Sequence, residues 1–358
     1  MRPRGYWGLP AFASLSMAGS ACSLFTLPNL LKSRIYNHTK LGSTMRKQRS
    51  SLSAKTNRKD PGSWGEHRWH SENVQVFPLK RDDFKNVQKI VDEFVLPGHL
   101  PASPMLTQQD TIVTIGSCFA DDLRKALIQR KYQADIFWVP SGLNNTFALR
   151  DFVSWCISGA QTEQAYRYDR DSSGEINEWM PEEEQEYYAD HFKKAGAIVF
   201  TIGLAEVWED QEAGTVFWRG VPDRFFDEDK HVFRLSTVDE NQRNIDKLIE
   251  YIRRVNPHAP IVLTLSPVPL KATFRPISCM TADCVSKSVL RVALDQVMQA
   301  GHPDVYYWPS FEIVKWLGCH IPVQAYGYED GHSRHVSRFL VDGIITSFLS
   351  RFFQPKSQ

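Results

Sequence analysis

Thr111-Ile-Val-Thr-Ile-Gly-Ser-Cys-Phe-Ala120 decides the fold. Its first five residues are apolar or β-branched, the composition of a strand buried on both faces. Gly116 and Ser117 break the run. Phe119, Leu123, Leu127 and Ile128 then fall at helical spacing, which predicts a helix over Phe119–Tyr132. Asp121 and Asp122 stand early in it and Arg130 and Lys131 late, as a helix dipole favours.

The alternation continues outward. Ala134–Val139 reads as a second strand and Thr146–Ile157 as a helix. Ala197–Ile202 is a core strand ending at Gly203, and Val238–Val255 is amphipathic, with Ile245, Leu248, Ile249 and Ile252 on one face. Pro260–Leu265 is a third core strand, broken by Ser266-Pro267; Thr281–Ala300 reads as a helix, Asp304–Trp308 as a strand and Val336–Phe353 as the closing helix. Strands alternating with helices of this length predict a three-layer α/β/α fold of flavodoxin-like type with a mostly parallel sheet. The stretch 160–235 is acidic, aromatic and loop-rich, with Trp179, Trp208 and Trp218, and reads as an insertion or cap. In doubly wound sheets ligands bind at the carboxyl ends of the strands. Three predicted strands end there in small or polar residues: Gly116-Ser117, Gly203 and Ser266.

Composition sets the outer bounds. With 358 residues, 42% of them hydrophobic and 23% charged, the chain has the profile of a globular protein with a sizeable core. A formal charge of +1 argues against a nucleic-acid partner. Residues 1–59 hold 11 Lys/Arg and no Asp/Glu, which leaves the remainder with 31 Lys/Arg against 41 Asp/Glu. The working part is therefore acidic and follows a basic leader, taken as 1–75, ahead of one α/β domain at 76–358. The leader reads as a targeting peptide, as a disordered extension, or as sequence upstream of a start at Met17 or Met45. Six cysteines without a CxxC pair argue against a disulfide scaffold or a zinc ribbon. The longest apolar stretch, Leu9 to Leu31, is diluted by prolines and serines, so no transmembrane span is expected. A cytoplasmic location is the expectation unless the basic leader is a targeting peptide.

Ser117 is the sharpest candidate for chemistry. A hydroxyl after a buried strand and at the start of a helix is exposed at the sheet edge, where helix N-terminal amides stabilise a developing oxyanion. Gly116 lets the chain turn sharply. The competing reading is that Ser117 merely caps the helix. GxSxG, GxGxxG and the Walker A pattern are all absent. A base is available in Tyr328-Glu-Asp-Gly-His-Ser-Arg-His-Val-Ser337, where His332 and His335 stand close to Asp330. That segment reads equally as a solvated loop with Ser333 or Ser337 capping the last helix. Cys118 beside Ser117 is a rival nucleophile, and Cys319, His320, Glu329 and His332 lack any recognised metal-ligand spacing. The chemistry calls for no metal and no cofactor.

Gly116-Ser-Cys-Phe-Ala120 spells the signature of the GSCFA family, which the chain resembles over roughly residues 76–352. Asn144-Asn-Thr-Phe147, Phe200–Trp208, Leu263–Val268 and His335-Val-Ser337 are similar to the family too. The family looks like a branch of the SGNH/GDSL hydrolase superfamily, near the PC-esterases. The resemblance implies an SGNH-hydrolase-like fold with Ser117 as nucleophile, His335 as base and Asp330 orienting it, with His332 as alternate base. It implies Ser117 and Gly142 as backbone donors to the oxyanion and Gly203 as the glycine of the third block. Two departures stand out. The third block runs Gly203-Leu-Ala-Glu206 and lacks the usual Asn, a donor whose loss costs about 2.7–4 kcal/mol of transition-state stabilisation where measured. Asn144 or Asn145 is the candidate substitute. Asp330 stands five rather than three residues before His335. The implied activity is ester hydrolysis or O-acyl transfer on a small-molecule or glycan ester, with Trp179, Trp208 and Trp218 stacking on sugar or packing in the core. The alternative is a non-catalytic glycan- or acyl-carrier-binding protein on the same scaffold.

Overall fold

The computed structural model describes residues 75, 77, 78, 80–136, 143–159, 168–170, 176–178, 182–218, 220, 221 and 223–355. All of them lie in one unit, His70–Gln358. The expected leader falls outside them but for Gln75, and Gly142 and Trp179 fall outside them as well. A 3-10 turn (Arg81–Lys85), α1 (Val87–Ile90) and a π turn (Val91–Val95) come first, then β1 (Ile112–Gly116), α2 (Cys118–Gln129), β2 (Ala134–Ile136) and α3 (Thr146–Ser158). Next are the hairpin β3 (Tyr168–Arg170) and β4 (Ile176–Glu178), α4 (Glu182–Lys194), β5 (Ala197–Ile202), β6 (Glu206–Asp210), β7 (Thr215–Val216) and β8 (His231–Leu235). The chain closes with α5 (Val238–Val255), β9 (Ile261–Leu265), α6 (Cys279–Ala300), β10 (Val305–Tyr307), α7 (Ser310–Leu317) and α8 (Arg338–Phe352).

The main sheet has the order β10-β9-β5-β1-β2 and every pairing in it is parallel. This is the flavodoxin-like order and the three-layer α/β/α class expected. The apolar runs explain it. In β1, Ile112 to Ile115 are all buried, because helices cover both faces and neither parity of side chain meets water. Val113, Ile115, Ile198, Phe200, Ile261 and Leu263 pack with α3, α4, α5 and α6 on one face. Ile112, Ala197, Val199 and Val262 pack with α2, α7 and α8 on the other. α5 has the bounds its amphipathic spacing predicts. A capping box fixes its start: Thr237 Oγ1 accepts from Glu240 N at 3.2 Å and Glu240 Oε2 from Thr237 N at 2.7 Å.

The chain passes from β1 outward to β2 and then back across β1 to β5. The reversal places a topological switch point at the carboxyl ends of β1 and β5, the place where such sheets bind ligands. Within 160–235 the boundaries differ from the sequence reading. β5 is the central strand and α4 belongs to its helix layer, so neither is inserted. The additions are the β3–β4 hairpin and an antiparallel sheet of order β7-β6-β8 that continues from the end of β5. Among the described residues no helix is long and apolar enough to cross a membrane.

Candidate active site

Gly116 ends β1 at φ +124°, and an added Cβ would stand 2.1 Å from Thr201 O on the neighbouring strand. Only glycine lets β1 turn this close to β5. The turn makes Ser117 the N-cap of α2: its Oγ accepts from Phe119 N at 3.3 Å. Thr201 holds the same residue from the other side. Ser117 N donates to Thr201 Oγ1 at 2.6 Å and to Thr201 O at 3.0 Å, and the two hydroxyls are 2.9 Å apart. The capping reading of Ser117 therefore holds, and it is compatible with chemistry. Either hydroxyl can donate in that pair, and Thr201 Oγ1 also reaches Ser117 O at 3.5 Å; when Thr201 is the donor, the serine proton is available to a base. The Ser117 amide, expected to face an oxyanion, is taken up by Thr201 in this arrangement. Thr201 read in the sequence only as a strand residue; its pairing with the turn is a product of sheet register.

The far end of the fold supplies the histidines. His335 Nδ1 lies 2.5 Å from Asp330 Oδ2, and Asp330 Oδ1 accepts from His332 N at 2.8 Å. The His335 bond first, then the His332 amide, holds the Asp330 carboxyl below its ordinary range. The five-residue spacing is closed by two glycines in the left-handed region, Gly327 at φ +69° and Gly331 at φ +70°. Asp330 thus engages the His335 ring and only the backbone of His332. The two imidazoles stack 3.9 Å apart, and His332 Nδ1 accepts from Arg334 N at 3.4 Å. The loop is moored by backbone: Tyr326 Oη donates to Pro267 O and Arg334 Nε to Pro269 O, each at 2.9 Å, and Ser337 N donates to Ala325 O at 2.8 Å. Neither expected serine caps α8. Glu329 Oε1 does so, accepting from Arg338 N at 2.8 Å.

Helix packing relates the two ends. α8 packs on α2, and Arg130 Nη2 meets Asp342 Oδ1 at 2.9 Å. Near the start of α2 desolvation pushes the Asp122 carboxyl up, while Lys125, His335 and Arg338 pull the other way. His335 therefore stands within electrostatic reach of the helix that Ser117 caps. Among the described residues no histidine nitrogen is hydrogen-bonded to Ser117 Oγ. The His335 side chain is 56% exposed, whereas Ser117 as a whole is 6% exposed.

The oxyanion candidates separate on inspection. Asn145 is engaged on both sides, its Oδ1 accepting from Ala148 N at 2.8 Å as the cap of α3 and its Nδ2 donating to Trp218 O at 3.0 Å. It is a structural residue, as an Asn before a helical Thr-Phe run could have signalled. Asn144 gives its carbonyl to Gly203 N at 2.7 Å and Leu204 N at 3.1 Å, while its Oδ1 is buried without a partner among the described residues. The Gly203 amide is thereby occupied. Glu206 is buried and pairs with Arg275 Nη1 at 3.2 Å. Trp218 is buried in the core, which removes it from the sugar-stacking candidates. Trp208 packs edge-on against Phe226, Phe233 and Phe274 at 5.1–5.5 Å. A cleft of about 930 Å³ on the α3–α5 face shares no lining residue with Ser117, Asp330 or His335.

The GSCFA family model matches residues 111–348, from the residue before β1 through most of α8. The chain belongs to the GSCFA family. The match spans both the Ser117 turn and the Asp330–His335 loop. Similar solved structures include a protein described as a GDSL-like lipase from Parabacteroides merdae, at 11% identity and TM-score 0.39, covering 70% of this chain and 98% of that one. An acetylxylan esterase from Geobacillus stearothermophilus matches at 11% identity and TM-score 0.36, covering 71% and 99%. A carbohydrate esterase family 2 enzyme from Corynascus thermopiles matches at 12% identity and TM-score 0.36, covering 70% and 68%. Likeness at this level carries no argument about activity. A comparison with curated proteins finds no match. In this GSCFA protein the case for chemistry rests on its own side chains.

Proposed function

We propose that this GSCFA protein is a serine-dependent ester hydrolase or O-acyltransferase acting on an O-acyl ester, with a carbohydrate or envelope glycan as the alcohol component. The observation that carries the reading is the Asp330–His335 pair, 2.5 Å apart, in the loop that starts α8, the helix packed on the one Ser117 caps. Asp330 accepts a hydrogen bond from Nδ1–H of His335, which fixes the tautomer and leaves Nε2 as the acceptor. In this reading the Ser117 hydroxyl leaves Thr201 for that nitrogen. Oγ then attacks the ester carbonyl carbon, its proton passes to Nε2, and the carbonyl electron pair moves onto oxygen. Collapse of the tetrahedral intermediate expels the alkoxide, which takes the proton from His335. Water or a sugar hydroxyl, deprotonated by the same imidazole, resolves the acyl-enzyme. Gly142 N–H is the proposed oxyanion donor.

A fluorophosphonate probe tests this on the full chain. Labelling of the wild type that disappears in Ser117→Ala supports it; absent labelling, or labelling unchanged in Ser117→Ala, overturns it. One observation favours a second reading, a glycan- or acyl-carrier-binding protein: the Ser117 hydroxyl rests on Thr201 while His335 faces solvent. The same probe separates the two.

A further inference from the structure

The third block lacks its amide donor, yet a cation stands there. Lys287, on α6, is 2% exposed, and its ammonium donates to Gly203 O at 2.8 Å. Gly203 lies two residues beyond Thr201, the strand residue that holds Ser117. The preceding residue on α6, Ser286, accepts from Ala205 N at 2.9 Å, so one turn of α6 grips both ends of the Gly203–Ala205 turn. A Cβ placed on Gly203 would be 3.8 Å from Lys287 Nζ and 3.8 Å from Asn144 Cβ. The two side chains flank the hollow that the glycine leaves. An ammonium has three protons, and among the described residues one is used; Asn144 Oδ1, on the other side chain that flanks the hollow, is buried and unpaired. A buried lysine used only to pin one backbone carbonyl is a poor structural choice, because a neutral donor would do so without the desolvation of a charge.

We propose that Lys287 is a positioning residue of the acyl-transfer reaction: it fixes the Gly203 turn and supplies there, as a fixed positive charge, the electrostatic stabilisation that the third block lacks as an amide. The inference rests on the esterase or acyltransferase reading above. A charge fixed in a water-poor setting stabilises developing negative charge without reorganising. The groups that face the ammonium agree with a poised charge. Burial lowers its pKa to about 8, Asp283 one turn back on α6 opposes the fall, and Arg334 from the His335 loop reinforces it. Lys287 is thus mostly charged at neutral pH and loses its charge as pH rises through about 8.

The test is the second-order rate of fluorophosphonate labelling of the full chain between pH 6 and 10. The wild-type rate should fall as pH passes about 8. Lys287→Gln and Lys287→Met should label at least about ten-fold more slowly at pH 7, the equivalent of one 1.4 kcal/mol step in the barrier, and lose the alkaline fall. Lys287→Arg, charged throughout, should recover rate and also lose that fall. If all three variants keep the wild-type rate and profile while Ser117→Ala abolishes labelling, the role of Lys287 is refuted and the enzymatic reading stands. If the wild type does not label, or Ser117→Ala labels equally, both fall. Should the variants not fold, the wild-type profile decides alone: a fall across pH 8 supports the role, and a rate level to pH 10 overturns it.

Discussion

Replacing Gly116 with alanine tests whether the close approach of β1 to β5 builds the candidate site. Two costs add. The residue sits at φ +124°, where an L side chain is strained by about 1–3 kcal/mol. The new methyl would meet Thr201 O at 2.1 Å and Thr201 Oγ1 at 2.8 Å, so the strand ends must part by about 1 Å to restore carbon–oxygen contact. Parting breaks the bonds from Ser117 N to Thr201 O and Oγ1, each worth about 0.5–1.5 kcal/mol net. The expected loss is about 3–5 kcal/mol, well above the roughly 1 kcal/mol typical of point variants. Gly98→Ala is the control: Gly98 also has a positive φ, +85°, but nothing lies within 4 Å of its added Cβ. Urea denaturation followed by tryptophan fluorescence gives both losses from the shift in midpoint at a shared slope. A Gly116→Ala variant no less stable than Gly98→Ala refutes the reasoning, because backbone strain alone would then account for it.

Three further outcomes follow. Asp330→Asn should cut fluorophosphonate labelling by about 10²–10⁴-fold, the scale seen when a triad carboxylate is lost. Its melting temperature should barely move, because the Asp330 and His335 side chains are 49% and 56% exposed and such pairs stabilise little. Asn145→Ala should lower stability by about 1–3 kcal/mol in denaturant, since it removes both the α3 cap and the tie to Trp218. Wild-type stability should climb relative to Lys287→Met as pH rises from 8 to 10.5. Burial holds the folded amine at about 8 against 10.5, so the unfolded chain binds more protons in that window and wild-type stability climbs with pH. The climb, read from paired thermal melts, is bounded at about 3 kcal/mol, and a constant gap would contradict it.

What the sequence disclosed, and what it hid, follows from where the forces act. The core strands were legible because burial on both faces leaves unbroken apolar runs, as in Ile112–Ile115 and Ala197–Ile202. α5 was legible to its ends because its apolar stripe and capping box are local signals. α7 escaped because eight residues hold barely two turns, too few for a period to show. α4 escaped because only a narrow stripe, Tyr188, Ala189 and Phe192, is buried among acids and lysines. The site divides the same way. Ser117 announces itself as a hydroxyl after a strand, whereas Thr201 and Lys287 gain their roles from register and helix packing. In Cys284-Val-Ser-Lys287 the lysine looks like any solvated one, and only the fold turns it inward.

The mooring of the His335 loop on the carbonyls of Pro267 and Pro269 has an evolutionary consequence. Main-chain oxygens are present whatever amino acid is encoded, so point changes at 267 and 269 can accumulate while the imidazole keeps its address. Indels are another matter. A single codon gained or lost directly after β9, ahead of Pro267, would slide both oxygens out from under Tyr326 and Arg334 and displace the base while leaving the serine turn intact. Lineages of this fold should therefore tolerate drift in spelling along that segment far better than drift in its length.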